Sequence, residues 1–136
     1  DMLAEAKLTP ELRNEALYFR AKAYLNQQAD KKAMNDLQAL AKDTRTLYGA
    51  EAKYLVALQL YKAHEYAAAE KEILNFIEQS TPHAYWLARS FILLSDVYVS
   101  MDKKLDARQY LLSLQQNYHA DDDIEQMINE RLEKLK

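Results

Sequence analysis

Cysteine is absent from this 136-residue chain, glycine occurs once and proline twice. Without cysteine there is no disulfide, no thiolate nucleophile and no Cys-based zinc site. A chain of ordinary composition and this length would carry about ten glycines and seven prolines. Val, Ile and Thr together number only 12. Sheets draw on β-branched residues and glycine-rich turns, so both shortages argue against sheet architectures. No apolar run approaches the ~20 residues that a helix needs to cross a bilayer. Charge of one sign is not concentrated either. Eighteen Lys and Arg are scattered among 21 Asp and Glu, with a net charge of −3 and an isoelectric point near 5.6. Nucleic-acid binding needs a basic stripe, and none is present.

What is abundant is helix-forming. Ala, Leu, Glu, Lys and Arg total 70 residues, about half the chain, and apolar residues make up 49%. The expectation is an all-α domain with a packed core. Thr9-Pro10-Glu11 reads as a helix start, with a capping hydroxyl, a proline where no N–H is needed and an acid at the positive helix end. Thr81-Pro82 reads the same way, and Asp121, Asp122 and Asp123 crowd the start of a last helix. Softer breaks fall at Asn26–Asp30, Lys42–Thr46, His64–Glu65 and Ser100–Lys103. These marks predict seven helices, at about 11–27, 30–42, 48–63, 66–79, 82–100, 104–118 and 122–135. Short connections predict antiparallel neighbours.

The chain repeats. Ala33, Ala69 and Ala107 are spaced 36 and 38 residues apart. Four residues beyond each stands a large aliphatic (Leu37, Ile73, Leu111), and three further on Leu40, Phe76 or Leu114. Nine before each stands Tyr24, Leu60 or Tyr98, and twelve before a small residue, Ala21, Ala57 or Ser95. Sixteen before lies Leu17, Lys53 or Phe91. Small residues let two antiparallel helices approach, and the bulky ones a turn away fill the grooves between them.

This pattern of a small residue and Tyr on a first helix, then Ala and a large apolar on a second, resembles the tetratricopeptide repeat. The resemblance covers about four fifths of the chain. It implies a right-handed α-solenoid of antiparallel helix pairs, with repeats at 11–45, 46–80 and 82–119 and a capping helix at 121–136. Residues 1–9, with Met2, Leu3, Ala4 and Ala6, read as the tail of a preceding helix, and the chain as a fragment of a longer protein. Lys53 departs from the pattern, and the proline that usually closes a repeat is replaced by residues such as Arg45 and His119. The stretches Tyr54–Tyr61 and Phe91–Leu94 are apolar nearly all round, as in helices covered on several sides. The last helix instead has one apolar stripe, Ile124, Met127, Ile128, Leu132 and Leu135, opposite a polar face.

Catalytic patterns are missing. His64, His83 and His119 stand far apart at helix ends and read as surface residues rather than metal ligands. Asp121–Asp123 lack the glycine turn and distal Glu of a calcium loop and read as helix capping. Gly49 alone builds no phosphate loop, and Glu70 and Glu72 read as lying on opposite sides of an exposed helix. No enzyme activity, cofactor or metal is expected. The resemblance implies instead a non-enzymatic protein–protein interaction module, whose first helices line a concave groove. Helical spacing places Tyr18, Lys22 and Asn26 there from the first repeat, Tyr54, Leu58, Tyr61 and Lys62 from the second, and Arg89, Ile92 and Asp96 from the third. Tyrosine and arginine supply large area and a polar tip. A protein or peptide segment is the expected ligand, and the basic margins favour an acidic one. The Lys and Asn set that family members use to clamp a C-terminal carboxylate is incomplete here. A self-association unit and a regulatory repeat domain of a larger protein are the alternatives. The composition resembles that of bacterial envelope-associated repeat proteins, and envelope, periplasm and cytoplasm all stay open as compartments.

Overall fold

Helix boundaries follow the local chemistry closely. In the computed structural model, which describes residues 9–136, seven helices and no strand are found among those residues. They are α1 (Pro10–Asn26), α2 (Asp30–Leu40), α3 (Leu47–Lys62), α4 (Tyr66–Glu78), α5 (Ala84–Ser100), α6 (Lys104–Asn117) and α7 (Ile124–Lys134). The expectation for residues 1–9 falls outside the described residues except at Thr9, which is the extended cap of α1. Its hydroxyl accepts the Leu12 N–H at 3.2 Å. Thr46 caps α3 in the same way, accepting from Gly49 N–H at 2.9 Å.

The three hairpin turns have one geometry. Gln28, His64 and Asp102 adopt positive φ of 60°, 63° and 60°, and each stands five residues before an anchor alanine. The next N–H, of Ala29, Glu65 or Lys103, bonds back to the carbonyl of Tyr24, Leu60 or Tyr98 at 2.8, 2.9 and 2.7 Å. This is the left-handed stop that closes a helix by a six-residue bond, made here without glycine. Each turn delivers its alanine to the fourth position of the following helix. Ala33, Ala69 and Ala107 are fully buried, and so are Ala21, Ala57 and Ser95 on the opposing helices to within 1%. The Ser95 hydroxyl is satisfied by the Ile92 carbonyl at 2.6 Å. Leu37, Ile73, Leu111, Leu40, Phe76 and Leu114 complete the core columns.

Each helix packs on its chain neighbours, and the odd helices also pack on one another, α1 on α3, α3 on α5 and α5 on α7. The even helices touch only odd ones. Helices α3 and α5 therefore each meet four others, which explains why residues Gly49–Ala57 are buried without interruption. One cluster joins the first six helices, and a second, around Ala88, Ile92, Leu111, Leu114, Ile124 and Ile128, seats α7.

Lys53 is not a misfit. Its side chain is buried and its ammonium meets Glu72 on α4 at 2.5 Å. Glu72 stands three residues after its anchor, and the same position carries a partner in the other two hairpins. Asp36, 4% exposed, takes a two-pronged contact from Arg20 at 2.6 and 2.8 Å. Tyr110 packs its ring 6.0 Å from Phe91 and 5.6 Å from Tyr98. Glu72 thus does not lie on an open helix face, as the sequence suggested. Glu70 is half-buried, and burial together with this carboxylate pushes the Tyr98 hydroxyl well above the usual tyrosine range.

Thr81-Pro82 is not a second helix cap either. Helix α5 starts at Ala84 with no side-chain cap. The Thr81 hydroxyl instead donates to the Thr44 carbonyl at 2.6 Å, and Thr44 donates to Gln79 at 2.8 Å. These bonds tie the two connections between hairpins together, while the same hydroxyl accepts the His83 N–H at 3.2 Å in a turn ahead of α5 rather than inside the helix. Gly49 has a related role. A Cβ there would stand 1.9 Å from the Asp43 carbonyl oxygen, so only glycine lets the first connection pass so close to α3. Among the three aspartates, Asp122 caps α7 by accepting the Ile124 N–H at 3.0 Å, while Asp123 turns to α5.

Candidate functional site

The row of odd helices is laced by polar contacts that recur with the repeat. From α1, the Tyr18 hydroxyl donates to Glu51 on α3 at 3.1 Å, and Lys22 pairs with the same carboxylate at 3.1 Å. Tyr18 also stacks on Tyr48, with ring centroids 4.4 Å apart. Burial and the neighbouring Glu51 charge push the Tyr18 hydroxyl up to about 12. One repeat on, the Tyr54 hydroxyl of α3 accepts from Arg89 of α5 at 3.1 Å. Tyr18 and Tyr54 hold the same place before their anchor alanines, and so do Glu51 and Arg89. The contact is conserved in position while its charge is inverted.

Arg89 is a half-buried cation of this row with several partners. It donates to Tyr85 at 3.0 Å, lies 5.1 Å from the Tyr54 ring centroid and stands 4.0 Å from Asp123. Burial opposes its charge, but the Tyr85 and Tyr54 oxygens outweigh that and hold it above the ordinary arginine range. The Arg89 Nε is buried without a partner. Tyr85 in turn donates to Asp123 at 2.9 Å, and burial raises its own titration.

The expected groove residues therefore divide. Tyr54 is buried at 6% exposure and Ile92 at 1%, so neither ring nor chain is presented to a partner. Tyr18, Lys22 and Arg89 are half-buried and engaged between helices. Leu58 is half-buried against the core, and Asn26 and Lys62 are exposed as the last residues of α1 and α3. Tyr61 and Asp96 meet in one place. They line an open cleft of about 500 Å³ with Val99 and Ser100 of α5, Lys104 of α6, and Glu130, Arg131 and Lys134 of α7. Arg131 grips Asp96 through two contacts of 2.9 and 3.0 Å on the cleft wall. Lys104, Lys134 and the Tyr61 hydroxyl have no polar partner among the described residues.

Sequence reasoning missed the contributions of α7 and of Lys104, because the spacing between α5 and α7 carries no anchor alanine to set their alignment. It missed Glu51 for another reason. The partner column lies three residues ahead of the tyrosine column, and only comparing successive repeats side by side reveals it. Among the described residues, no group of three His, Asp or Glu is placed to hold a metal ion. No helix among them is long and apolar enough to cross a membrane. The chain matches no family model, no curated protein and no solved structure. The geometry defines an all-α protein of paired helices with a repeating turn and a repeating inter-helix contact.

Proposed function

We propose that this chain is a non-catalytic, tetratricopeptide-like α-solenoid that binds a peptide or protein segment in the cleft between α5, α6 and α7. The observation that carries the reading is the cleft's composition. Tyr61 offers an aromatic body with a free hydroxyl, and Val99 and Leu135 offer aliphatic contact. Lys104 and Lys134 stand at its edge without an ion-pair partner among the described residues, and the Asp96–Arg131 pair fixes one wall. An extended segment with one apolar anchor and acidic flanks suits these groups. The supports for the solenoid are the three identical turns, the shared packing columns and the contact of each odd helix with the next.

The test is selection of a displayed random peptide library on the full chain. Enriched peptides should carry acidic residues beside an aromatic or aliphatic anchor. Tyr61→Ala and a Lys104→Glu, Lys134→Glu double variant should each weaken the selected peptides at least about tenfold, with unchanged melting. Binding should weaken as salt rises. Selected peptides that ignore all three substitutions would place the site elsewhere, and no enrichment would sink the reading.

A further inference from the structure

Lys53 and Glu72 line an open cleft as well as the core. Helices α2 and α4 do not touch each other, and between them a space of about 180 Å³ opens onto α3. Lys53 and Val56 line it from α3, Gln38 and Lys42 from the α2 side, and Glu72 and Gln79 from the α4 side. The Lys53 side chain is 9% exposed, so a charged group stands where the first hairpin places Leu17 and the third Phe91. Apolar residues often serve stability as well as a buried ion pair does, and Phe91 beside Tyr110 fills the same two positions that way. Stability alone gives no reason for the charges. Neither partner is used up by the other. An ammonium has three N–H donors, and that of Lys53 meets only Glu72 Oε1. Its other donors and Glu72 Oε2 have no partner among the described residues. Nor have the side chains of Lys42 and Gln38.

We propose that this cleft binds a small free α-amino acid. The ligand's carboxylate accepts from Lys53 and Lys42, and its ammonium donates to Glu72 Oε2. Both charges of the ligand then meet the opposite sign, and the Lys53–Glu72 pair need not open. A simple carboxylate would satisfy the lysines but set a second anion beside Glu72, and a simple amine would face two cations. In a half-buried site such a mismatch is costly, because the surrounding dielectric is low. Size narrows the ligand further. At about 30 Å³ for each water-sized group, the space holds about six of them, which is the size of glycine or alanine. The site lies apart from the cleft of α5, α6 and α7, so either reading can fail without the other.

The probes are glycine and L-alanine, added to the full chain at neutral pH and followed by backbone amide shifts in heteronuclear NMR. Saturable shifts should fall on residues 38–42, 53–56 and 72–79, with a Kd of about 1 mM or below. Propionate and ethylammonium are alanine without its amine and without its carboxylate. Each should bind at least about tenfold more weakly than alanine. Lys53→Met should abolish the shifts while its melting stays close to the parent's. Lys42→Ala, at an exposed position, should weaken alanine by about threefold or more with unchanged melting. Absence of saturable shifts at these residues would overturn the proposal. So would alanine binding that survives Lys53→Met, and so would propionate that binds as tightly as alanine, because the cleft would then read a carboxylate alone.

Discussion

Removing the carboxylate of Glu72 should harm the protein far more than removing the ammonium it pairs with. The Lys53 side chain is 9% exposed and that of Glu72 27%. If Glu72 becomes Ala, Lys53 loses its ion-pair partner while its side chain stays largely buried, a situation that costs roughly 3–5 kcal/mol in buried pairs. An open cleft of about 180 Å³ borders both residues, so partial solvation brings the expected cost to about 2–3 kcal/mol. For a chain of this length that is a fall in thermal midpoint of roughly 7–10 °C. Lys53→Met removes the other partner, but the Glu72 carboxylate can turn to water, and the apolar chain suits the core. That variant should lose no more than about 1 kcal/mol. The double variant Lys53→Phe, Glu72→Tyr installs the pair that Phe91 and Tyr110 form in the third hairpin, and should stay within about 1.5 kcal/mol of the parent. Thermal unfolding followed by circular dichroism, at low salt and at half-molar sodium chloride, reads all three. The asymmetry should survive the salt, since a buried charge is weakly screened. Equal losses for the two single variants would refute the reasoning, as would a gap that salt abolishes.

Glycine at the three left-handed turn positions should stabilise. Gln28→Gly and Asp102→Gly should each raise the midpoint by roughly 1–3 °C, because a side chain at φ near 60° is strained, and a fall in either would show that its side chain is needed. Gly49→Ala should act in the opposite sense, costing at least about 2 kcal/mol in urea unfolding, because its Cβ would fall 1.9 Å from a backbone oxygen. Alkaline titration should show several of the ten tyrosines ionising late. Tyr18 and Tyr118 are pushed up to about 12, in both cases first by burial and then by a neighbouring carboxylate, Glu51 or Asp122. The native state then holds protons that the unfolded chain releases near pH 10, so stability should be full below pH 10 and fall between about pH 10 and 12. Tyr18→Phe should remove one late-titrating group from the absorbance curve.

The packing columns were legible in the sequence because their requirement is local and strict. Only a small residue lets the helices of a pair approach, so Ala33, Ala69 and Ala107 stand out in the letters alone. The pairing columns were not legible, because no single residue type serves them. Asp36, Glu72 and Tyr110 share one position and satisfy it by three different contacts. Lys53 looked like a departure for the same reason, since its partner lies on the next helix. The two proline signals had the same local chemistry and different outcomes. Thr9 accepts an N–H three residues on, inside its helix, whereas Thr81 accepts that of His83, two residues on and ahead of α5. For the groove, spacing could not tell a tyrosine that faces outward from one like Tyr54, which the next helix covers.

The charges between odd helices should also favour the contacts of one hairpin with the next, and Leu58 tests this. Lys22, Leu58 and Asp96 share one position, eleven before their anchors. Lys22 meets the anionic Glu51 and Asp96 meets the cationic Arg131. Leu58, between them, carries no charge, and the helix it faces brings the cation Arg89 to the place where α3 has Glu51. A lysine at 58, which the first hairpin uses to advantage, would set two cations together in the half-buried row. A glutamate there would bury a charge of equal size but meet an arginine that has only the 4.0 Å contact with Asp123 as an ion pair. Both substitutions lose the apolar contact that Leu58 makes with the core, so their difference isolates the sign of the charge. Leu58→Lys should therefore melt below Leu58→Glu by at least about 3–4 °C at low salt, about 1 kcal/mol for a chain of this length. The difference should shrink in half-molar salt. Adding Arg89→Met to each variant should erase it, because the cation that distinguishes them is gone. If the two variants melt together, or if the gap persists without Arg89, the hairpin order is set by shape alone and the inverted charges along the row play no part in it.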